Sequence, residues 1–293
     1  MKSLLSLLTF GLLAVTAVAA DKPDTRFFEM RVYYAKPGKL DALNARFRDH
    51  TLKLFTKHGM TNLGYFVPVD NKENKLVYFL AFPDRTSRDA SFKAFGADPA
   101  WKAAAKESEK DGKLIERIEN AFLTATDYAV LAEAKSYGKG VFELRTYTTE
   151  AGRLDNLNAR FRDHTLKLFA KHGMTSMTYW NLVADQKGAK SSYVAENTLI
   201  YLLHHLSEEA AKASFGAFRA DPAWIAAKGA SEQKAGGSLT IKDGVKSEFL
   251  LPTDYSRSSK SAHSPLRSPS FEGLFCATKG RLKTHHSVRP LPA

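Results

Sequence analysis

Cysteine is almost missing from this chain of 293 residues, where Cys276 stands alone. An internal disulfide and any cysteine-based metal cluster are thereby excluded. No glycine-rich phosphate loop, serine nucleophile elbow or zinc-ligand spacing stands out either, so no metal site is expected. Acidic residues are outnumbered, 31 against 43 Lys and Arg, which gives a formal charge of +12. That excess is uneven: from Ser256 onward seven Lys/Arg face one acid, Glu272. A basic patch on the folded part is therefore not demanded, and nucleic acid is not an expected partner.

Long apolar runs are scarce as well. Lys2 precedes one from Leu4 to Val18, followed by Ala19-Ala20 and Asp21. The run is short for a membrane span and ends in small residues suited to cleavage. Residues 1–20 thus read as a secretory signal peptide. The mature chain is expected in the periplasm or secreted, with no membrane span. The other end, 256–293, carries Ser, Pro, Arg and Lys without periodicity and reads as a disordered basic tail.

Between these ends one segment occurs twice. Asn44-Ala-Arg-Phe-Arg-Asp-His-Thr-Leu-Lys-Leu-Phe-Thr-Lys-His-Gly-Met60 returns as Asn158 to Met174, and only Thr56 differs, becoming Ala170. Repetition of this kind means two copies of one folding unit. Leu40, Leu43, Phe47, Leu54 and Phe55 recur at helical spacing, and Gly59 after Lys57-His58 stops the helix. Around it, Phe27–Tyr34, Gly64–Val67, Leu76–Phe82 and Ile115–Leu123 read as strands. Helices follow Asp84 and Asp98-Pro99, the aspartates as caps and the proline in a first turn. The order is β-α-β-β-α-β. Val141–Tyr147, the Tyr179-Trp180 strand, Thr198–His205 and Asp221-Pro-Ala-Trp224 repeat it, with an insertion around 185–197. Domain boundaries are 26–128 and 140–255, joined by a linker at 129–139.

A unit of this order places both helices on one sheet face and leaves the other bare. Four strands expose on the order of 300 Å² or more, too much apolar surface to stay wet. The equivalent face of the other copy is the nearest cover. The expectation is α+β: two tandem ferredoxin-like domains packed sheet to sheet as an intrachain barrel, with Phe27 and Tyr33 on the inter-sheet face. A homodimer of whole chains is the alternative closure.

The Glu-x-Arg-x-Tyr first strand, the helix ending Lys-His-Gly-Met, the aromatic second strand and the Asp-Pro-x-Trp segment resemble the NIPSNAP family of the dimeric α+β barrel superfamily. The resemblance covers 26–128 and 140–255. It implies the fold but little chemistry, because no reaction is securely established for the family as a whole. The wider superfamily includes cofactor-free monooxygenases, haem-degrading proteins and small-ligand binders. Eukaryotic relatives are associated with mitochondria and vesicle or mitophagy roles, a setting from which the signal peptide departs.

The candidate catalytic groups are Glu29, Arg31 and Tyr33 with their counterparts Glu143, Arg145 and Tyr147, each trio on one strand face. Two readings stand: a buried ion pair that fixes register, or a pocket in which Arg binds an anionic or carbonyl group while Tyr or Glu moves a proton. His50 and His164 lie beside the apolar stripe, as hydrogen-bonded core residues or as pocket-lining acid/bases or haem ligands. Tyr65, Tyr179 and Trp180 are candidates to line a flat-ligand pocket. His204-His205 cannot both face one metal from one sheet face, and Trp101 and Trp224 read as packing anchors. No cofactor is required by these residues, haem being the one considered. Three functions follow: an exported binder of a small apolar or aromatic ligand at the inter-sheet face, a cofactor-independent monooxygenase or isomerase, or a structural or interaction module with a filled barrel. Whether the chain is an enzyme is left open by the sequence.

Overall fold

A computed structural model describes residues 24–129 and 140–256. The signal-peptide reading of 1–20, the linker from 130 to 139 and the tail from 257 onward fall outside the described residues. Ser256 does not belong with the tail: it is fully buried, and its Oγ accepts from the Tyr65 backbone N–H at 3.0 Å.

In the first half, strand β1 (Phe27–Ala35) leads into a helix made of α1 (Leu40–Arg46), a π turn (Phe47–Thr51) and α2 (Leu52–Lys57). Strands β2 (Thr61–Pro68) and β3 (Lys75–Phe82), helices α3 (Arg85–Ala97) and α4 (Pro99–Ser108), and β4 (Ile115–Ala125) follow. The second half gives β5 (Val141–Thr149), α5 (Leu154–Arg160), a π turn (Phe161–Thr165), α6 (Leu166–Lys171), β6 (Thr175–Leu182), β7 (Thr198–His205), α7 (Glu208–Ala220), α8 (Pro222–Lys234) and β8 (Thr240–Pro252). The punctuation is chemical. Asp84 accepts from the Ser87 N–H to start α3, and Asp98 accepts from the Ala100 N–H with Pro99 in the first turn of α4. Gly59 and Gly173 take the positive φ, 79° and 76°, that ends the first helix of each half.

Each half forms an antiparallel sheet, in the orders β4-β1-β3-β2 and β8-β5-β7-β6. The sheets do more than face each other. Their edges join, β2 to β8 at Phe66↔Pro252 and β4 to β6 at Leu123↔Leu182, so that eight strands close into one barrel. Closure pairs strand edges that would otherwise be open to other chains. The interior is apolar and shared: Phe28, Met30, Phe66 and Phe79 from the first half meet Phe142, Leu144, Trp180 and Ile200 from the second. The Trp180 indole stacks on Phe79 with centroids 5.0 Å apart, and Phe66 meets Phe142 at 4.9 Å.

Phe27 and Tyr33 are not on that inner face. They lie under the first half's helices, with Phe47, Phe55, Tyr65 and Tyr78. The alternation in β1 is as expected, but its two sides are exchanged. Both sides are apolar enough to be buried, so periodicity alone could not say which side meets the helices. The helix side is the one that offers polar partners from another element, and the Glu-Arg-Tyr row goes there.

A reciprocal latch holds the halves together. Past β4, Asp127 takes a bidentate hold on Arg162, and the Tyr128 hydroxyl donates to Asn158 Oδ1 at 2.7 Å. Past β8, Asp254 binds Arg48 in the same way, and Tyr255 donates to Asn44 Oδ1 at 2.6 Å. Thr126-Asp-Tyr128 recurs in the sequence as Thr253-Asp-Tyr255, and this repeated motif is thus the arm by which each half grips the other's helix. Replacing both Tyr128 and Tyr255 by Phe should lower the unfolding free energy by about 1–3 kcal/mol in total, at ~1 kcal/mol per hydrogen bond. An unchanged denaturation midpoint would show the arms to be idle.

Candidate functional site

The two Glu-Arg-Tyr trios form buried, fully partnered clusters between sheet and helices. Glu29 is fully buried and accepts from Arg31 at 2.6 Å, from Arg88 of α3 twice at 2.9 Å, and from Asn120 of β4 at 2.8 Å. Arg31 also donates to the Tyr78 hydroxyl at 2.8 Å and to that of Tyr33 at 3.3 Å. Burial by itself would lower the Arg31 pKa. The neighbouring phenols and Glu29 outweigh it and push the value well up, so the guanidinium stays charged.

The second half solves the same problem with different residues. Glu143 pairs with Arg145 and with His205, whose Nε2 lies 3.0 Å away, while Arg145 donates to Tyr201 at 2.9 Å and to Tyr147 at 3.4 Å. Burial alone would raise the Glu143 carboxyl, but His205 and Arg145 together hold it below the usual carboxylate range. His205 stands where the first half has Phe82, and Ala211 stands where it has Arg88, so the carboxylate's second partner has moved from helix to strand. His204 points to the other side, against the Phe142 ring at 5.1 Å. Burial pushes the Tyr78 and Tyr201 phenols well up, which keeps them protonated at neutral pH. Both clusters contain buried ion pairs, tied to α3 in the first half and to β7 in the second, and neither lies between the sheets. Arg88, Asn120 and His205 were not foreseen as partners, since no spacing rule links them to β1 or β5.

His50 and His164 are exposed, contrary to their placement beside the core. The π turn explains this: it adds a residue to the helical repeat, so Thr51 and Thr165 take the buried positions and donate to the carbonyls of Arg46 and Arg160, both at 3.1 Å. His58 and His172 do more than cap. Each Nε2 lies 2.7 Å from the aspartate that starts the later helix, Asp98 or Asp221. Tyr179 is buried under the second half's helices, stacked on Tyr201 at 5.1 Å, while Trp180 is inside the barrel, so the three aromatic candidates do not share one pocket. Trp101 and Trp224 are packing anchors, each 4.4 Å from a helix phenylalanine.

Lys57 first, then His58, holds the Asp98 carboxyl far below the usual range, and Lys171 and His172 do so for Asp221. A depressed folded-state pKa means stabilisation that is complete above the unfolded value of about 3.9 and lost as pH falls toward the folded one. Thermal stability should therefore drop steeply below about pH 4. The double substitution Asp98→Asn, Asp221→Asn should flatten that acid limb while lowering Tm at pH 7 by about 3–8 °C. An acid limb of unchanged slope would show these carboxylates not to be its source.

Among the described residues an open cleft of about 250 Å³ lies between α2 and β2 of the first half. Leu52, Lys53, Thr56, Asn62, Leu63, Gly64, Tyr65 and the incoming Tyr255 line it. Its floor is a chain of hydrogen bonds: Tyr65 OH donates to Asn62 Oδ1, Asn62 Nδ2 donates to Thr56 Oγ1 at 3.0 Å and Leu52 O at 3.2 Å, and Thr56 donates to Leu52 O at 3.1 Å. Burial pushes the phenols of Tyr65 and Tyr255 up, so both stay neutral. Of the residues singled out from sequence, only Tyr65 is here. The unread signal was Thr56, the one difference between the repeated segments Asn44–Met60 and Asn158–Met174. Among the described residues no group of three metal-ligating side chains converges, and no helix is long and apolar enough to cross a membrane.

No curated protein matches the sequence significantly. Among solved structures, an anthrone oxidase-like protein is 13% identical, covers 83% of this chain and 98% of its own, and superposes with a TM-score of 0.52. At that identity the likeness concerns the fold alone. A NIPSNAP family protein of Agrobacterium tumefaciens is 28% identical over 33% of this chain and 86% of its own, TM-score 0.30. A NIPSNAP domain protein of Burkholderia xenovorans is 25% identical over 34% and 94%, TM-score 0.31. The NIPSNAP family model matches residues 28–130 and again 142–257, most of the chain. The two sheets, the eight-stranded closure and this double match agree, and the chain belongs to the NIPSNAP family.

Proposed function

We propose that the protein is an exported binder of a small apolar or aromatic molecule, and that its site is the cleft between α2 and β2 rather than the space between the sheets. The carrying observation is the cleft itself: about 250 Å³ with apolar and aromatic walls and a few fixed polar groups, against a barrel interior occupied by side chains from both halves. The third reading, a solid barrel, is absorbed here as the scaffold that carries the site.

Binding is favoured over catalysis by the lining. It contains no carboxylate and no histidine, and its phenols stay protonated, so no ordinary general base is at hand at neutral pH. The Glu-Arg-Tyr trios, the enzyme reading's candidates, spend their hydrogen bonds on one another. Resemblance to an anthrone oxidase-like protein supports an aromatic ligand only through a shared fold.

Native mass spectrometry of protein purified without refolding should retain a small organic molecule. Leu63→Trp should expel it while Tm stays within about 2 °C, since Leu63 is only half-buried. Retention by the variant would place the ligand elsewhere. Added haem should leave the Soret band of free haem unshifted, and N-terminal sequencing of exported protein should begin at Asp21.

A further inference from the structure

The two halves are copies, so the places where they differ show what has been specialised. Along the first helix the repeats differ at Ala42, where the second has Asn156, and at Thr56, where it has Ala170. Thr56 lines the cleft. In the next strand, Thr61 and Tyr65 match Thr175 and Tyr179, but Asn62, Leu63 and Gly64 become Ser176, Met177 and Thr178. All three first-half residues line the cleft as well. Four residues of the cleft lining, Thr56, Asn62, Leu63 and Gly64, thus differ between the halves, while Leu52, Lys53 and Tyr65, also in the lining, keep their counterparts Leu166, Lys167 and Tyr179. The second half replaces the Asn62–Thr56 chain by a single contact, Ser176 Oγ to Tyr179 OH at 2.7 Å. It also adds a side chain where Gly64 has none, while Met177, like Leu63, packs against the barrel core.

The polar groups of the first-half cleft differ in what they have left to give. Thr56, both amide hydrogens of Asn62, and Tyr65 all donate inward, and Tyr255 donates to Asn44. Lys53 is exposed and lines the cleft, and among the described residues it pairs with no carboxylate. The site thus offers a ring-sized apolar space with one cationic donor at its rim.

We infer that this cleft takes an amphipathic anion, a small aromatic or alkyl body bearing one carboxylate, and that it does so in the first half only, one molecule per chain. This rests on the cleft being the binding site, and it adds the charge of the ligand and the asymmetry of the halves. The apolar body lies against Leu52, Leu63 and the Tyr65 and Tyr255 rings. The carboxylate meets the Lys53 ammonium, which stands in reach of water, so the attraction weakens with salt.

Calorimetric titration of the full chain with 2-naphthoate and with neutral 2-naphthamide tests this. Naphthoate should bind with a stoichiometry of one. Lys53→Gln should weaken it about five- to tenfold, and naphthamide should bind the native chain more weakly by a similar factor. Lys167→Gln, the same residue on the same helix of the other half, should change nothing, which separates a lost ligand contact from a disturbed fold. Thr56→Ala with Asn62→Ser and Leu63→Met, which gives three of the four differing cleft residues their second-half identity, should abolish binding. Equal binding of acid and amide, unaffected by Lys53→Gln but blocked by Leu63→Trp, would overturn the anion and leave the cleft standing. A stoichiometry of two, or equal effects of Lys53→Gln and Lys167→Gln, would overturn the asymmetry. Binding of neither probe would sink the cleft as a binding site.

Discussion

Glu29→Ala should cost about 3–5 kcal/mol of unfolding free energy, the loss typical of breaking a buried ion pair from one side. The carboxylate is fully buried and answers two guanidinium groups, Arg31 and Arg88, and the Asn120 amide. Removing it leaves Arg31 buried with no carboxylate opposite and Arg88 with only the exposed Asp89, and burial keeps the Tyr78 phenol protonated. Arg88→Met should be milder, about 1–2 kcal/mol, because Arg31 still answers the carboxylate, as Arg145 answers Glu143 beside Ala211 in the second half. In the same denaturant titration, Glu143→Ala should fall close to Glu29→Ala. If Glu29→Ala shifts the midpoint no more than a surface substitution would, the carboxylate is solvated and the cluster is not what joins helix to sheet.

Trp180→Ala should cost a further class of energy, also about 3–5 kcal/mol, by emptying the middle of the barrel. The ring belongs to the second half but stacks on Phe79 of the first and meets Phe28 at 5.9 Å. Its loss weakens both halves at once, so unfolding should stay a single transition at lower denaturant. Two separated transitions would show that the halves fold independently and that the shared interior is not their common core. Trp180→Phe should be much less damaging, because the buried indole N–H has no hydrogen-bond partner among the described residues to lose. A double-mutant cycle with Phe79 should return about 0.5–1.5 kcal/mol of coupling.

Much of the local structure was legible because its causes are local. Asp98-Pro99 and Gly59 announce a helix start and stop through cap geometry and positive φ, and both act as expected. The repeat announced two units, and the apolar excess of their strands announced that the units must cover each other. The π turn was illegible: its residues form an unremarkable amphipathic stretch, and the extra residue per turn that moves His50 and His164 to the surface depends on how Phe47 and Thr51 pack beneath. The Thr-Asp-Tyr repetition was visible as a match, but not as a pair of arms crossing between halves.

By itself, then, the order of residues determined the elements, their duplication, the family and the need for a shared interior, since each follows from spacing, capping or apolar area along the chain. Which side of β1 would meet the helices was decided only in three dimensions. Both sides are apolar, and the choice turned on Arg88 and Asn120, remote in sequence, being present on the side where Glu29 had to be neutralised. The cleft was decided in the same way. It exists where Tyr255 from the end of one half comes to rest beside Lys53, Asn62 and Gly64 of the other, and no window of sequence contains that meeting.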